Sequence, residues 1–330
     1  MTVIPSNIAE TPNAPNDVLS EVLRAVRLTG SVFLDGRFTE PFGVISPQRW
    51  DGTEAVAHLR HVSTFHLIAR GRCTLETADG ERHEVGAGDV LMLPFTAEHR
   101  FWQGQTNDFA FAPDLLQAGP IPGVDRLCYG GGGDETRFVC GFIESAELMA
   151  APLFRSLPPI LIVRTSDDTV SELLAGIVKE IFQRVDSADP GATYLLSRLM
   201  EMLFLEVLRG YAARLPPDSK GMLAATGDAV VSRALSLLHS QPMRRWTVEL
   251  LADEAGTSRT VLNERFNRLL GKSPMEYLTH WRIQLAADRL RGGTQRLAQI
   301  SHEAGYESEA AFSRAFKRVM GISPGAWRGA

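Results

Sequence analysis

The chain has 330 residues, 44% of them apolar and 22% charged, and a formal net charge of −5. That length and composition suit two compact domains with proper cores and exclude a disordered, collagenous or disulfide-stapled chain. No apolar run approaches 18 residues and no basic-then-apolar stretch opens the sequence, so a cytoplasmic protein without membrane span or signal peptide is expected.

Residues 1–16, with Pro5, Pro12 and Pro15, read as a mobile tail, and an amphipathic helix is expected from Val18 to about Arg27. From Leu28 to Pro158 the pattern changes to short alternating runs: Gly30–Leu34, Thr64–Ile68, Arg72–Thr77, Val90–Leu93 and Arg137–Phe142. Gly, Asp-Gly and Pro turns separate them, which predicts a small β-barrel. The stretch Phe65-His66-Leu67-Ile68 with Gly71, Asp79-Gly80, Gly88-Asp89-Val90-Leu91-Met92-Leu93-Pro94 and His99 resembles a cupin, specifically the ligand-sensing barrel of AraC-type proteins. The resemblance covers residues 18–158 and implies a barrel that answers to a small-molecule or oxidant effector.

Enzymatic cupins hold a metal with clustered His and Glu, so His61, His66, His83 and His99 need weighing. The enzyme pattern has two histidines one residue apart followed by a glutamate, whereas the nearest pair here, His61 and His66, lies five apart. A metal needs converging donors. His61, His66 and His99 therefore stay metal candidates by residue type alone. The favoured reading is histidines at strand edges beside Phe65, Phe101 and Trp102, with no cofactor; a metal-dependent cupin enzyme fused to a DNA-binding domain is the alternative.

The run Tyr129-Gly130-Gly131-Gly132-Gly133-Asp134 lacks the Gly-Lys-Ser/Thr that opens a phosphate-binding helix and reads as a flexible hairpin loop. Cys73, Cys128 and Cys140 fit a reducing compartment. Cys128 and Cys140, expected on neighbouring strands, are the candidates for a redox thiol switch, against a plain reading as buried small hydrophobes. Arg126 and Arg137 are the nearby basic groups that would stabilise a thiolate.

Two helices follow, Ser166–Asp186 and Gly191–Arg214. The second carries an apolar band of Leu195, Leu199, Met202, Leu203 and Leu205–Leu208, too wide for one exposed face and read as a homodimer interface. Residues 215–227, with Pro216-Pro217, Gly221 and Gly227, read as a linker.

The last part of the chain says nearly the same thing twice. Leu251–Pro274 and Ile300–Pro324 match after one inserted residue near Tyr306, so that Glu254-Ala255-Gly256 recurs as Glu303-Ala304-Gly305. Ser258, Phe266, Arg268, Gly271, Ser273 and Pro274 recur 50 residues later as Ser308, Phe316, Arg318, Gly321, Ser323 and Pro324. Each copy predicts a short helix, a glycine turn, a capping serine and a longer helix, the punctuation of a helix-turn-helix. Leu262, Phe266 and Leu269 in the first copy, and Phe312, Phe316 and Val319 in the second, form the buried stripes.

The outward faces carry the chemistry. Ser258, Arg259, Thr260, Asn263, Glu264 and Asn267 point to DNA in the first copy, and Ser308, Glu309, Ala310, Ser313, Arg314 and Lys317 in the second. Asn263 suits adenine and Arg259 guanine or phosphate, whereas Arg314 and Lys317 suit phosphate. Between the copies, Ser273, Pro274 and Glu276 open a helix of about 17 residues, or roughly 25 Å, with Leu278, Trp281 and Leu285 inward until Gly292-Gly293. Charge agrees: residues 222–330 hold 15 Lys and Arg against 10 Asp and Glu, and the rest of the chain 19 against 29.

The duplicated unit, with its Gly-x-Ser-Pro endings and the stretch Gly305-Tyr306-Glu307-Ser308 to Phe316-Lys317-Arg318, closely resembles the DNA-binding domain of AraC/XylS-family transcription regulators over Val230–Trp327. The likeness implies two helix-turn-helix units in adjacent major grooves, with Glu264 a departure that places an acid near phosphate. The fold expected is α+β: a tail at 1–16, a cupin-like sensing barrel at 17–160, a helical dimerisation element at 161–214, a linker at 215–227 and an all-α double helix-turn-helix domain at 228–330. The partners expected are operator DNA, a small-molecule or oxidant effector, a second copy of the chain and RNA polymerase, with no catalytic residues.

Overall fold

The computed structural model describes residues 28–48, 62–145, 153–154, 156–167, 171–187, 189–293 and 295–328. The tail, the helix expected at Val18–Arg27 and His61 lie outside the described residues. The chain divides at Pro216/Pro217 into two compact units.

The first unit is built on two sheets. One has the strand order β12-β6-β3-β11-β1-β10-β9, with β1 Leu28–Thr39, β3 Val62–Arg70, β6 Asp89–Leu93, β9 Leu116–Ile121, β10 Val124–Gly130, β11 Glu135–Ser145 and β12 Leu161–Arg164. The other runs β5-β4-β7-β2-β8, with β2 Phe42–Ser46, β4 Arg72–Thr77, β5 Arg82–Gly86, β7 His99–Gln103 and β8 Ala110–Phe111. Every alternating run read from the sequence lies in one of these strands. Both sheets feed one core, which includes Phe33, Phe38, Ile68, Leu91 and Phe138 from the first and Phe42, Leu75 and Phe101 from the second. Burying each such aromatic side chain is worth about 1.5–3 kcal/mol. Phe38 stacks on Phe42 at 5.0 Å between centroids and meets Phe138 edge-on at 5.1 Å, which ties the two sheets together.

The glycine run corrects the expectation of a flexible hairpin. β1 lies between β10 and β11, so the run carries the chain around the end of β1. Gly131 N donates to Thr39 O at 2.9 Å and to Pro41 O at 3.0 Å, Gly132 N donates to Thr39 Oγ1 at 2.9 Å, and Gly133 N donates to Glu40 O at 2.8 Å. A Cβ at Gly130 would sit 1.9 Å from Thr39 O. The glycines allow a close backbone approach and the loop is pinned at three successive amides.

Helices α1 Glu172–Ser187 and α2 Ala192–Ala213 follow. Leu196, Met200, Leu203, Phe204, Val207 and Leu208 of α2 are buried. The helix settles against β1 and β11 where both lack a side chain: a Cβ at Gly30 would lie 2.8 Å from Met200 Cβ, and one at Gly141 2.7 Å from Met200 Cε. Most of the apolar band is thus covered within the unit. Tyr194, Leu195 and Met202 remain outside it, exposed by 67%, 42% and 42%.

The second unit is helical: α3 Met222–Gly227, α4 Ala229–Ser240, α5 Val248–Glu254, α6 Arg259–Leu270, α7 Pro274–Gly292, α8 Leu297–Glu303, α9 Glu309–Met320 and α10 Pro324–Arg328. The stretch read as linker ends in α3, which buries Met222, Leu223 and Ala225. Its amide Gly221 N donates to Leu269 O of α6 at 2.7 Å. Helix α7 starts as expected, with Ser273 Oγ accepting from Glu276 N and Pro274 in the first turn. Its buried residues include Tyr277, Leu278, Trp281, Ile283, Ala286, Ala287 and Leu290. Leu285, expected inward, is only half-buried, because α7 touches both copies and so hides a wider arc than a single stripe.

Candidate nucleic-acid interface and sensing core

The two helix-turn-helix copies are built alike. Gly256 and Gly305 turn with φ of 72° and 82°, a conformation that costs other residues strain. Ser258 Oγ then accepts from Val261 N, and Ser308 Oγ from Ala311 N, opening α6 and α9. Both helices stop at a left-handed glycine, Gly271 and Gly321. Leu262, Phe266 and Leu269 are buried on α6, and Phe312, Ala315 and Phe316 on α9, with Val319 half-buried. Side chains on the other face stand in solvent: Ser258, Arg259, Thr260, Glu264 and Asn267 are exposed and Asn263 half-buried. Ser308, Glu309, Ala310, Arg314 and Lys317 are exposed and Ser313 half-buried.

Long-range contacts add residues that local spacing could not reveal. Glu249 of α5 holds Arg259 at 3.0 Å. Asn263 Nδ2 donates to Arg259 O, and Asn267 Nδ2 to Asn263 O, so both amides rest on their own helix. Asp228 caps α4 by accepting from Val230 N and Val231 N, and also pairs with Arg265 at 3.1 Å and Arg268 at 3.4 Å. The repeated acids have one job in both copies, since Glu254 grips Arg244 at 2.6 Å and Glu303 grips Arg289 at 2.7 Å.

In the first unit, His66 of β3 and His99 of β7 meet across the core, Nε2 to Nε2 at 2.8 Å. His66 Nδ1 lies 3.0 Å from Cys140 Sγ, its cross-strand neighbour on β11, and His99 Nδ1 lies 2.7 Å from Ala97 O. A carbonyl can only accept, which fixes every proton. His99 donates from Nδ1, His66 donates from Nε2 to His99 Nε2, and the Cys140 thiol donates to His66 Nδ1. Burial holds His66 well below the ordinary imidazole range and His99 down to about 4, and it pushes the Cys140 thiol up. The chain rests uncharged.

This geometry shows how the described candidates are arranged. His66 and His99 point their nitrogens at each other and Cys140 lies on the far nitrogen of His66, so the donors do not converge. Among the described residues, no three His, Cys, Asp or Glu side chains are set to hold a metal. His83 turns away to Glu81 at 3.5 Å. Cys128 and Cys140 were expected on neighbouring strands, but β1 runs between β10 and β11 and separates them. Cys128 faces Arg37 and Cys140 faces Leu34 across it. Two strand spacings of about 4.8 Å exceed the roughly 7 Å Cα limit for a disulfide. Cys128 is exposed, whereas Cys73 and Cys140 are buried. Arg137 is held by Asp35 at 2.7 Å and Asp186 at 2.9 Å, and Arg126 lies 3.9 Å from Asp35, so neither arginine is spent on a thiolate.

Residues 17–213 match the family model described as Cupin, and residues 251–330 match one described as a helix-turn-helix domain. The chain is similar to an AraC-like transcription regulator of Streptomyces antibioticus, 32% identical over 320 residues covering 94% of this chain and 97% of that protein. The chain belongs to the AraC-like transcription regulators. It is also similar to the transcriptional regulator AlkR of Acinetobacter baylyi, 28% identical with 80% of this chain and 86% of that one covered. Among solved structures, ToxT of Vibrio cholerae aligns over 93% of this chain and 98% of its own at 12% identity, with a TM-score of 0.36. As an AraC-like regulator the protein binds DNA through its helix-turn-helix domain, and its cupin-like unit fits a sensing role. Among its described residues no helix is long and apolar enough to cross a membrane.

Proposed function

We propose that the regulator grips operator DNA with α6 and α9 in successive major grooves and takes its signal at the cupin-like unit. The observation that carries this reading is the matched presentation of the two helices, each serine-capped, glycine-stopped and polar on its outer face. The 19 residues of α7 rise roughly 28 Å, of the order of the ~34 Å between successive major grooves. In this reading α6 decides sequence through Asn263 on adenine and Arg259 on guanine, with Thr260 and Asn267 beside them and Glu264 accepting from a cytosine amine. Helix α9 leans on phosphate through Arg314 and Lys317, with Ser308, Glu309, Ala310 and Ser313 lining the groove.

A two-fold operator calls for a two-fold protein. Leu195 and Met202, seven residues apart on α2, with Tyr194 beside them, offer the face for a homodimer. The regulator acts in the cytoplasm without catalytic turnover, engages RNA polymerase at the promoter, and shifts between DNA-binding arrangements only as far as its effector prefers one of them. Titrating the purified chain against its own upstream intergenic DNA over a salt series tests the reading. Specific binding that weakens linearly in log salt is expected, and no preference over random DNA at any salt would overturn it.

A further inference from the structure

We propose that Cys140, His66 and His99 form a built nucleophilic site, and that an uncharged electrophile of the α,β-unsaturated carbonyl class modifies Cys140 covalently. This rests on the reading of the cupin-like unit as a sensor. The arrangement is a nucleophile in hydrogen-bond reach of a base, 3.0 Å, with the base oriented by a third group at 2.8 Å, itself fixed to a backbone carbonyl at 2.7 Å. Cys73 fills the same core at 2% exposure, and among the described residues no imidazole is hydrogen-bonded to its thiol, so packing alone does not call for the linked Cys140, His66 and His99. Cys140 is 3% exposed, His66 2% and His99 2%, among Phe33, Phe101, Phe138 and Phe142. That apolar lining selects a neutral reagent and makes the reaction wait for local opening.

The step balances without an added oxidant. Sγ bonds to the β-carbon as the C=C π pair moves toward the carbonyl. The thiol proton passes to His66 Nδ1, and the resulting positive charge is shared through Nε2–H to His99. That proton then returns to the α-carbon, leaving a thioether and an uncharged chain. The neighbouring residue, Gly141, lies against Met200 of α2, so a swollen side chain at position 140 presses on the strand that seats this helix.

The test treats the native full chain with N-ethylmaleimide and follows adduct formation at each cysteine by peptide mass spectrometry. Exposed Cys128 reacts first. Cys140 is expected to react at least about tenfold faster than the equally buried Cys73, because a positioned base contributes about 10²–10⁴. His66→Phe is expected to drop Cys140 to the Cys73 rate while leaving Cys73 and Cys128 unchanged. Should that variant fail to fold, the Cys140 to Cys73 ratio in the unaltered chain still decides. Equal rates overturn the proposal, as does a stoichiometric metal ion whose removal is needed before Cys140 reacts. The labelling is read without DNA, so its failure removes the thiol site and leaves the sensing role to be judged by DNA binding.

Discussion

The two helix-turn-helix copies share a frame and differ in how their outer side chains are tied. In the first copy Arg259 is paired with Glu249, both asparagine amides rest on α6, and Arg265 and Arg268 are fastened to Asp228. In the second, Ala315 stands where the first has Arg265, and among the described residues Arg314 and Lys317 make no ion pair. A held helix presents its groups in fixed positions, as base reading requires, whereas free cations suit the delocalised charge of a phosphate backbone. On the proposed reading, what anchors each helix is what sets the two recognition modes of one duplicated motif apart.

The bluntest way to probe that comparison is through the shared frame. Phe266→Ala and Phe316→Ala each empty a fully buried site, and each should cost about 3–5 kcal/mol in denaturant unfolding. Losses that differ by more than their cavities would show that the copies are not equally supported.

Outside both copies, α4 carries a buried base that steadies the first. His239 stacks on Trp281 at 4.2 Å and meets Tyr277 Oη at 2.8 Å, and burial lowers it to about 4. Between about pH 6.5 and 4 the unfolded chain binds the proton that folded His239 refuses, so its contribution is full above that window and fades as pH falls through it. Up to about 3 kcal/mol is at stake at 1.36 kcal/mol per unit. His239→Phe should remove that part of the acid lability, which thermal melts at pH 7 and pH 4.5 would read.

The recognition modes separate next. Asn263→Ala should change base preference at one operator position by about 1–3 kcal/mol. Arg314→Ala with Lys317→Ala should weaken all sequences alike and reduce the salt slope by about 2. Competition binding against mutated operators distinguishes them, and unchanged preference in the Asn263 variant would sink the division. The smallest effect belongs to the anchor. Asp228→Ala removes the α4 cap and both arginine ties, costing about 0.5–2 kcal/mol. If binding falls with no loss of discrimination at bases read by α6, the tie is only structural.

Much of the frame was legible in sequence, because caps, glycine stops and periodic apolar residues act within a dozen positions. The serines at 258, 273 and 308 cap the helices expected of them. The β-runs were equally plain, but their order was not: β10 pairs in parallel with β1, Leu34 beside Asp125 and Thr39 beside Gly130, and no local signal sets that. The same limit hid the core chain. His66 is 33 residues from His99 and 74 from Cys140, and only the cross-strand register of β3 with β11 and the closeness of the two sheets join them. Spacing alone had set them apart as strand-edge histidines and a separate thiol. Asp228 and Glu249 were missed because acids near helix starts look like ordinary first-turn residues until their partners are seen.

The notch that Gly30 and Gly141 leave for Met200 is walled by main chain as well as by the methionine. Alanine at either glycine would collide with the methionine and also with backbone, Ser197 O at 2.9 Å from position 30 and Ser31 O at 2.8 Å from position 141, so a smaller residue at position 200 alone would not make room. Neither glycine can therefore be traded for bulk elsewhere, so drift at the seat of α2 is confined to the helix side of the contact.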